Sequence, residues 1–369
     1  MTKNQKRAPK ILILAQTPPP FHGQSVMLNE LVKAKWKWCE KKFIRLDFSD
    51  SIENVGRFSI KKIFRLVKII FRIYKESRRG KIGIISYPPA PAQRIPFYRD
   101  LIILAVARRL TKKIVFHFHA SGFDNISKKF SRLESFLAKK IYSNPDAVIV
   151  IYNQKIREVK WIKPKKVFIV PNGVADHFIK KSARSSMIRI LSVGQISKEK
   201  GLLANLDVSR RLKNKGVNFT WIYMGDWISK STKKIAMKFI RDNCLENNIE
   251  FVGVKTGSKK WDEYSRSDIF CLLTKYECEI MPLTILEAMM MGKIVIATTR
   301  GAISIMIADK KTGFLVENKN PKKIVGIIRE VSSNEKLANT ISKSARESYK
   351  KNYTLSSHLR KIENIYKNI

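Results

Sequence analysis

Apolar residues in this chain come in short unbroken runs, separated by stretches that repeat every three to four residues. Runs at Ile11–Ala15, Lys81–Ser86, Lys113–Phe118, Asp146–Ile151 and Val167–Val170 read as strands buried on both faces. Phe43–Asp47 suggests a further strand. Helices are expected from about Ser25 (on Val26, Leu28, Leu31 and Val32), over Ser59–Arg79 with Ser59 as its cap, and over Phe97–Leu110. The pattern then restarts. Strands are expected at Ile188–Val193, Phe219–Met224, Ile249–Val254, Ile294–Ile296 and Phe314–Val316, and Ser267–Leu273 leads into the stretch from Tyr276. Helices are expected at Lys230–Cys244, from Pro321, from Asn334, and over Ser356–Asn368. Alternating strands and helices in two halves predict two doubly wound α/β domains, with the linker in the polar, basic stretch Lys180–Ser186. The expected boundaries are 1–178, 187–350 and a last helical segment 351–369.

Tyr276–Thr298 carries the densest chemistry. Glu279 and Glu287 stand with seven residues between them. Pro282 falls where a helix would start, Leu283, Leu286, Ala288 and Met290 supply its apolar faces, and Gly292 ends it. Glu279 is then in the loop before the helix, and Glu287 is one to two turns inside. Two acceptors flank a helix N-terminus, whose free N–H groups and dipole attract anions. A nucleotide-sugar would use all three parts, with hydroxyls on the carboxylates and diphosphate near the helix start. The plainer alternative is a surface helix with two scattered glutamates.

Other candidates stand at strand ends, where open α/β sheets bind ligands. Gly23 lies at the first strand-to-helix turn, where a glycine lets backbone approach a ligand closely or simply makes a tight turn. Lys113–Phe118 delivers His117 and His119, two apart and so on one side while the strand lasts. A histidine there can bond a sugar hydroxyl or cap the loop Ala120–Asp124. Gly194–Gly201 follows the first strand of the second half and contains Gln195, Lys198 and Lys200.

Composition narrows the class. At 369 residues and 44% hydrophobic content the chain supports two cores. Its 73 Lys and Arg against 30 Asp and Glu leave a formal net charge of +43, a field that attracts phosphate-rich partners or else reflects composition alone. Ser59–Arg79 mixes this charge with apolar residues and reads either as a helix for an anionic membrane surface or as a solvated helix packed on the sheet. Cys39, Cys244, Cys271 and Cys278 have no paired or zinc-like spacing and read as reduced cytosolic thiols. The N-terminal apolar run is shorter than the ~7–15 residues of a signal peptide. Nothing approaches the ~20 apolar residues of a membrane span.

Glu279 to Glu287, followed by Ala-Met-x-x-Gly and a strand, resembles the Glu-x7-Glu motif of retaining GT-B glycosyltransferases, family 4, also called glycosyl transferases group 1. Pro171-Asn172-Gly173-Val174 resembles the family's turn into its second domain. Gly194–Gly201 resembles its Gly-Arg-x-x-x-x-Lys-Gly loop. The resemblance implies two Rossmann-like domains facing a cleft, with the C-terminal helix crossing back to the first domain. It implies transfer of a sugar from a UDP- or GDP-linked donor to a saccharide or lipid-linked acceptor, with retention and without metal or cofactor. By carry-over Glu287 holds ribose hydroxyls and Glu279 sugar hydroxyls, while Lys200 with Gln195 holds the diphosphate. Met281, Pro282, Leu283 and Thr284 contribute backbone contacts, and His119 and Gly23 line the reaction face. Gln195 stands where arginine is usual; it cannot offset charge or form the guanidinium fork. Ile305 stands where an acid is usual.

A basic first half in a chain without a membrane span suggests surface polysaccharide assembly at the inner face of the cell membrane. Three alternatives stay open: a sugar-nucleotide epimerase of the same fold, a non-catalytic glycosyltransferase-like subunit, and a basic nucleic-acid-binding protein. No nucleic-acid-binding module supports the last, so no specific nucleic acid is expected.

Overall fold

Long apolar runs need a sheet covered on both faces, and the chain builds two. The computed structural model describes residues 8–48, 59–89, 94–119, 128–179, 187–277, 279–317 and 320–369. The expected linker Lys180–Ser186, the loop Ala120–Asp124 and Cys278 lie outside them. The chain divides into two units, Met1–Asn172 with His358–Ile369, and Gly173–Ser357.

In the first unit β1 (Lys10–Ala15), α1 (Gly23–Lys33), β2 (Glu40–Arg45), α2 (Ile60–Arg78), β3 (Ile82–Tyr87), α3 (Arg94–Leu110) and β4 (Lys113–Phe118) follow in order. Then come α4 (Arg132–Tyr142), β5 (Ala147–Val150), α5 (Lys155–Val159) and β6 (Val167–Ile169). The strands form one parallel sheet in the order β2-β1-β3-β4-β5-β6, with Ile13 opposite Phe43 and Ser86. α2, α3 and α4 cover one face, where Ile69, Ile73, Leu104 and Tyr142 share a core. The other face takes Leu28 and Leu31 of α1.

Three local expectations shift. The second strand starts at Glu40, because an edge strand half open to solvent is written in polar residues that hide it from an apolar count. Its Lys41 reaches back to α1, donating to the carbonyls of Leu31 and Val32 at 2.8 and 3.2 Å. α1 starts at Gly23, capped by His22, whose Nδ1 accepts the Ser25 N–H at 3.3 Å. Ser59 does stand at the N-cap of α2, but its side chain makes no capping bond.

The second unit runs β7 (Ile188–Val193), α6 (Leu202–Asn214), β8 (Phe219–Met224), α7 (Lys230–Asp242), β9 (Ile249–Phe251), α8 (Gly257–Arg266) and β10 (Ile269–Leu272). It continues with α9 (Leu283–Met290), β11 (Ile294–Thr298), α10 (Ile303–Met306), β12 (Phe314–Val316), α11 (Pro321–Ser333) and α12 (Glu335–Asn352). Its parallel sheet has the order β12-β11-β10-β7-β8-β9. Successive strands therefore step away from β7 in both directions, and the order reverses between β7 and β10. At such a switch point the loops leaving the two strands diverge and open a crevice at their carboxyl ends.

The last helix, α13 (Leu355–Lys367), brings Ile362, Ile365 and Tyr366 onto the first sheet beside Ile11 and Ile13. The Tyr366 hydroxyl donates to Ser86 Oγ at 2.6 Å and lies 2.8 Å from His117 Nε2.

Candidate active site at the second-sheet switch point

The loop after β7 and the loop after β10 meet at the switch point. After β7 the backbone turns through Gly194 (φ 125°) and Gly201 (φ 94°), a region that L side chains enter only with strain. A Cβ on Gly201 would sit 2.4 Å from the Leu273 carbonyl oxygen, so only glycine lets the loops pack this closely. The Glu199 carbonyl stitches them, accepting the Lys275 N–H at 2.6 Å and the Thr274 hydroxyl at 3.3 Å. Thr298, ending β11, donates its hydroxyl to the Thr274 carbonyl at 2.7 Å. Gly301 (φ 53°) presses against the same loop. A Cβ there would lie 2.2 and 2.4 Å from the carbonyl oxygens of Glu279 and Ile280.

This stitching presents Glu279 as a buried carboxylate in salt-bridge contact with the Lys200 ammonium. Lys200 also lies 5.2 Å from the centroid of the Tyr276 ring. Met281 is buried, and Pro282 stands at the N-cap of α9, one position earlier than a first helical residue. Proline offers no side-chain acceptor to the first N–H groups of Leu283 and Thr284. α9 ends at Met290, and Gly292 (φ 61°) turns the chain into β11. Gln195 is half-buried beside Gly194. Glu287 points from the second turn of α9 into a pair that sequence reasoning missed. Its Oε1 takes Lys260 Nζ at 2.5 Å, and its Oε2 takes the Tyr264 hydroxyl at 2.9 Å. Burial and the neighbouring carboxylate push the Tyr264 phenol well above its ordinary pKa, so it is a donor at any working pH. Trp261 stacks on His177 at 4.4 Å, and Lys260 lies 4.7 Å from the Trp261 centroid.

Lys260, Trp261 and Tyr264 all lie on α8, an unexpected helix. Its sequence Gly-Ser-Lys-Lys-Trp-Asp-Glu-Tyr-Ser-Arg buries only Tyr264, so no apolar stripe announces it. The available signal was the spacing of Lys260 and Tyr264, four apart and so on one side of a helix.

Gly23 and His119 belong to the first unit. Gly23 opens α1 directly after His22. His119 follows β4, its ring stacked on His117 at 6.1 Å. Its Nδ1 is shut off from solvent and has no partner among the described residues. Burial first, then the nearby His358 and His22, lower its pKa to about 3, so the ring is neutral. His117 is held by Tyr366 and serves structure. Among the described residues no group of three His, Cys, Asp or Glu side chains is placed to hold a metal ion.

Residues 174–348 match the model of the family described as glycosyl transferases group 1. An uncharacterized glycosyltransferase of Methanocaldococcus jannaschii, MJ1069, is 23% identical over 86% of this chain and 83% of its own length. The putative colanic acid biosynthesis glycosyltransferase WcaL of Salmonella typhimurium is 25% identical over 46% of this chain. That match spans less than half of the relative's length, 43%. Among solved structures, Anabaena HepE in complex with UDP and glucose superposes with a TM-score of 0.73 at 16% identity, covering 97% of this chain and 99% of that one. The likeness shows the fold, GT-B, with its two six-stranded parallel sheets.

Proposed function

We propose, from the match of residues 174–348 to the glycosyl transferases group 1 model, that the chain is a retaining glycosyltransferase. It moves a sugar from a UDP- or GDP-linked donor to a saccharide acceptor, lipid-linked, in surface polysaccharide assembly at the inner face of the cell membrane. The observation that carries this reading is the placement of Glu279 and Glu287 around the start of α9 at the switch point, each already engaged by a lysine. UDP in the HepE complex and the colanic acid role named for WcaL support the donor and the setting.

In this reading Glu287 accepts the ribose hydroxyls while Lys260 and Tyr264 hold its orientation. Sugar hydroxyls take up the Glu279 carboxylate and release the Lys200 ammonium toward the diphosphate. Backbone N–H groups of Met281, Leu283 and Thr284, on either side of Pro282, and the amide of Gln195 add hydrogen bonds. The charge that grows on the departing diphosphate is then met by a fixed cation and a helix start, the electrostatic core of such catalysis. Neutral His119, with Nδ1 unpartnered among the described residues, is suited to bond a sugar hydroxyl, and the Gly23 backbone contacts substrate. No metal is assigned a role.

The test is thermal unfolding with UDP, GDP, ADP and CMP, each alone at matched salt. A ligand at ~100 times its dissociation constant stabilises by ~2.7 kcal/mol. A shift with one nucleotide, lost in Glu287→Ala, is the expected result. Equal shifts with all four would reduce the effect to cationic attraction. No shift would move the chain to a non-catalytic subunit, a reading that Gln195 in the arginine position favours.

A further inference from the structure

One face of the first unit exposes far more apolar surface than a water-facing helical layer requires. α2, α3 and α4 pack on the same side of the sheet, and α3 touches both neighbours. Their outward sides therefore form one continuous layer. On it α2 exposes Ile60, Phe64, Val67, Phe71 and Tyr74, each 51–73% accessible. At about 100° per residue these five fall on one stripe, opposite the buried Ile69 and Ile73. α3 adds Tyr98 and Ile102, and α4 adds Leu133 and Phe136, with Lys140 lying 5.9 Å from the Phe136 ring centroid.

The charge on this layer has a single sign. Lys61, Lys68, Arg72 and Lys75 are exposed and fall along one flank of the α2 stripe. The acids of the three helices all turn inward. Glu76 is salt-bridged to Lys10 and Arg79, Asp100 is fully buried against Arg99 and Tyr87, and Glu134 is buried and bonded by Tyr98. The complement of a cationic layer with a protruding apolar stripe is an anionic surface with hydrocarbon beneath it. A nucleic acid would answer the cations but not the phenylalanines. A second copy would bring like charges together.

We propose that the outward faces of α2, α3 and α4 are the surface by which this chain docks on a bilayer containing anionic lipid. Phe64 and Phe71 seat among the acyl chains, and Lys61, Lys68, Arg72 and Lys75 rest on the headgroups. The purpose of the contact rests on the proposed lipid-linked acceptor; the surface itself does not.

Co-sedimentation with vesicles of one part phosphatidylglycerol to three parts phosphatidylethanolamine, and with phosphatidylcholine alone, tests it. The full chain should bind the anionic vesicles and retain part of that binding in high salt, because the apolar stripe is not screened. Phe64→Asp with Phe71→Asp should weaken binding tenfold or more, and Lys68→Glu with Arg72→Glu should do so at low salt. The melting shift with whichever nucleotide stabilises the chain, read in the same samples, should be unchanged in both variants. That second readout keeps loss of docking apart from loss of fold, and from failure of the transferase reading. The proposal is overturned if the chain binds neither vesicle, or if the Phe→Asp pair leaves binding intact, which would mean adsorption by bulk charge. It is also overturned if the same substitutions dissolve a dimer seen without vesicles.

Discussion

The Lys260–Glu287–Tyr264 contact decides how well a buried carboxylate can serve a ligand. Both carboxylate oxygens already accept a donor, from Lys260 Nζ at 2.5 Å and the Tyr264 hydroxyl at 2.9 Å. Each oxygen keeps a lone pair for a ribose hydroxyl, so these partners orient Glu287 without blocking it. Removing one leaves a buried charge short of a bond, which costs more than the bond itself contributes. Tyr264→Phe should therefore weaken nucleotide binding about tenfold, and Lys260→Ala by more, while Lys260→Arg should recover part of the loss. Titration calorimetry with the nucleotide that shifts unfolding reads this directly; unchanged affinity in Lys260→Ala would assign the pair to stability alone. Beyond Glu287 itself and the four-residue spacing of Lys260 and Tyr264, little of this was legible in the chain. Glu287 stood out because a proline, an apolar helix and a glycine frame it in sequence. Lys260 is one lysine among many, and its partner lies 27 positions away. Contacts between two helices far apart in sequence leave no local trace.

At the scale of elements, legibility followed burial. Strands sealed on both faces, such as β1, β8 and β11, were visible as apolar runs because a parallel sheet admits little else. Edge strand β2 and the polar helix α8 were misplaced or missed, since their burial is partial. The loops were legible only through glycines, and the structure gives those glycines their reason. Gly301 lies in the left-handed region, and a Cβ there would strike two carbonyl oxygens of the Glu279 loop. Such strain costs ~1–3 kcal/mol before the clash is counted. Gly301→Ala should thus push the Glu279–Ile280 backbone away, lowering the unfolding midpoint and abolishing the nucleotide shift together. Full nucleotide binding in a folded Gly301→Ala protein would show that the loop has another way to hold Glu279. Gly326, inside α11 with nothing within 4 Å of its Cβ position, is the control; Gly326→Ala should be neutral or slightly stabilising.

For the whole molecule the two units differ most in how they meet acid. Of the five histidines, four belong to the first unit, and burial lowers the pKa of each. His358 is lowered to about 4, and its neutral ring is held 2.7 Å from the Pro171 carbonyl oxygen. His117 is locked to Tyr366, so the last helix and the fourth strand share one proton-sensitive bond. A histidine kept neutral when folded, but free to protonate near pH 6.5 when unfolded, favours folding fully above that value. Its contribution falls as pH drops through 6.5 and is spent at the folded value, about 4 for His358 and about 3 for His119. Over that window each such group costs up to ~1.4 kcal/mol per pH unit, less for His119, whose residue is partly open to solvent. The carboxylates held low by their partners, Glu76, Asp176 and Asp207, yield only below their own ordinary range, so the interval from pH 6.5 to 5 isolates the histidines. Urea unfolding across that interval should show a weakened first unit, followed by the fluorescence of Trp36, which packs on Tyr366, and of Trp38 stacked on Trp36, in variants where these report alone. His358→Asn should flatten the pH slope even if it lowers stability at neutral pH. A slope that survives in His358→Asn and in His119→Gln would place the acid response in groups other than these rings.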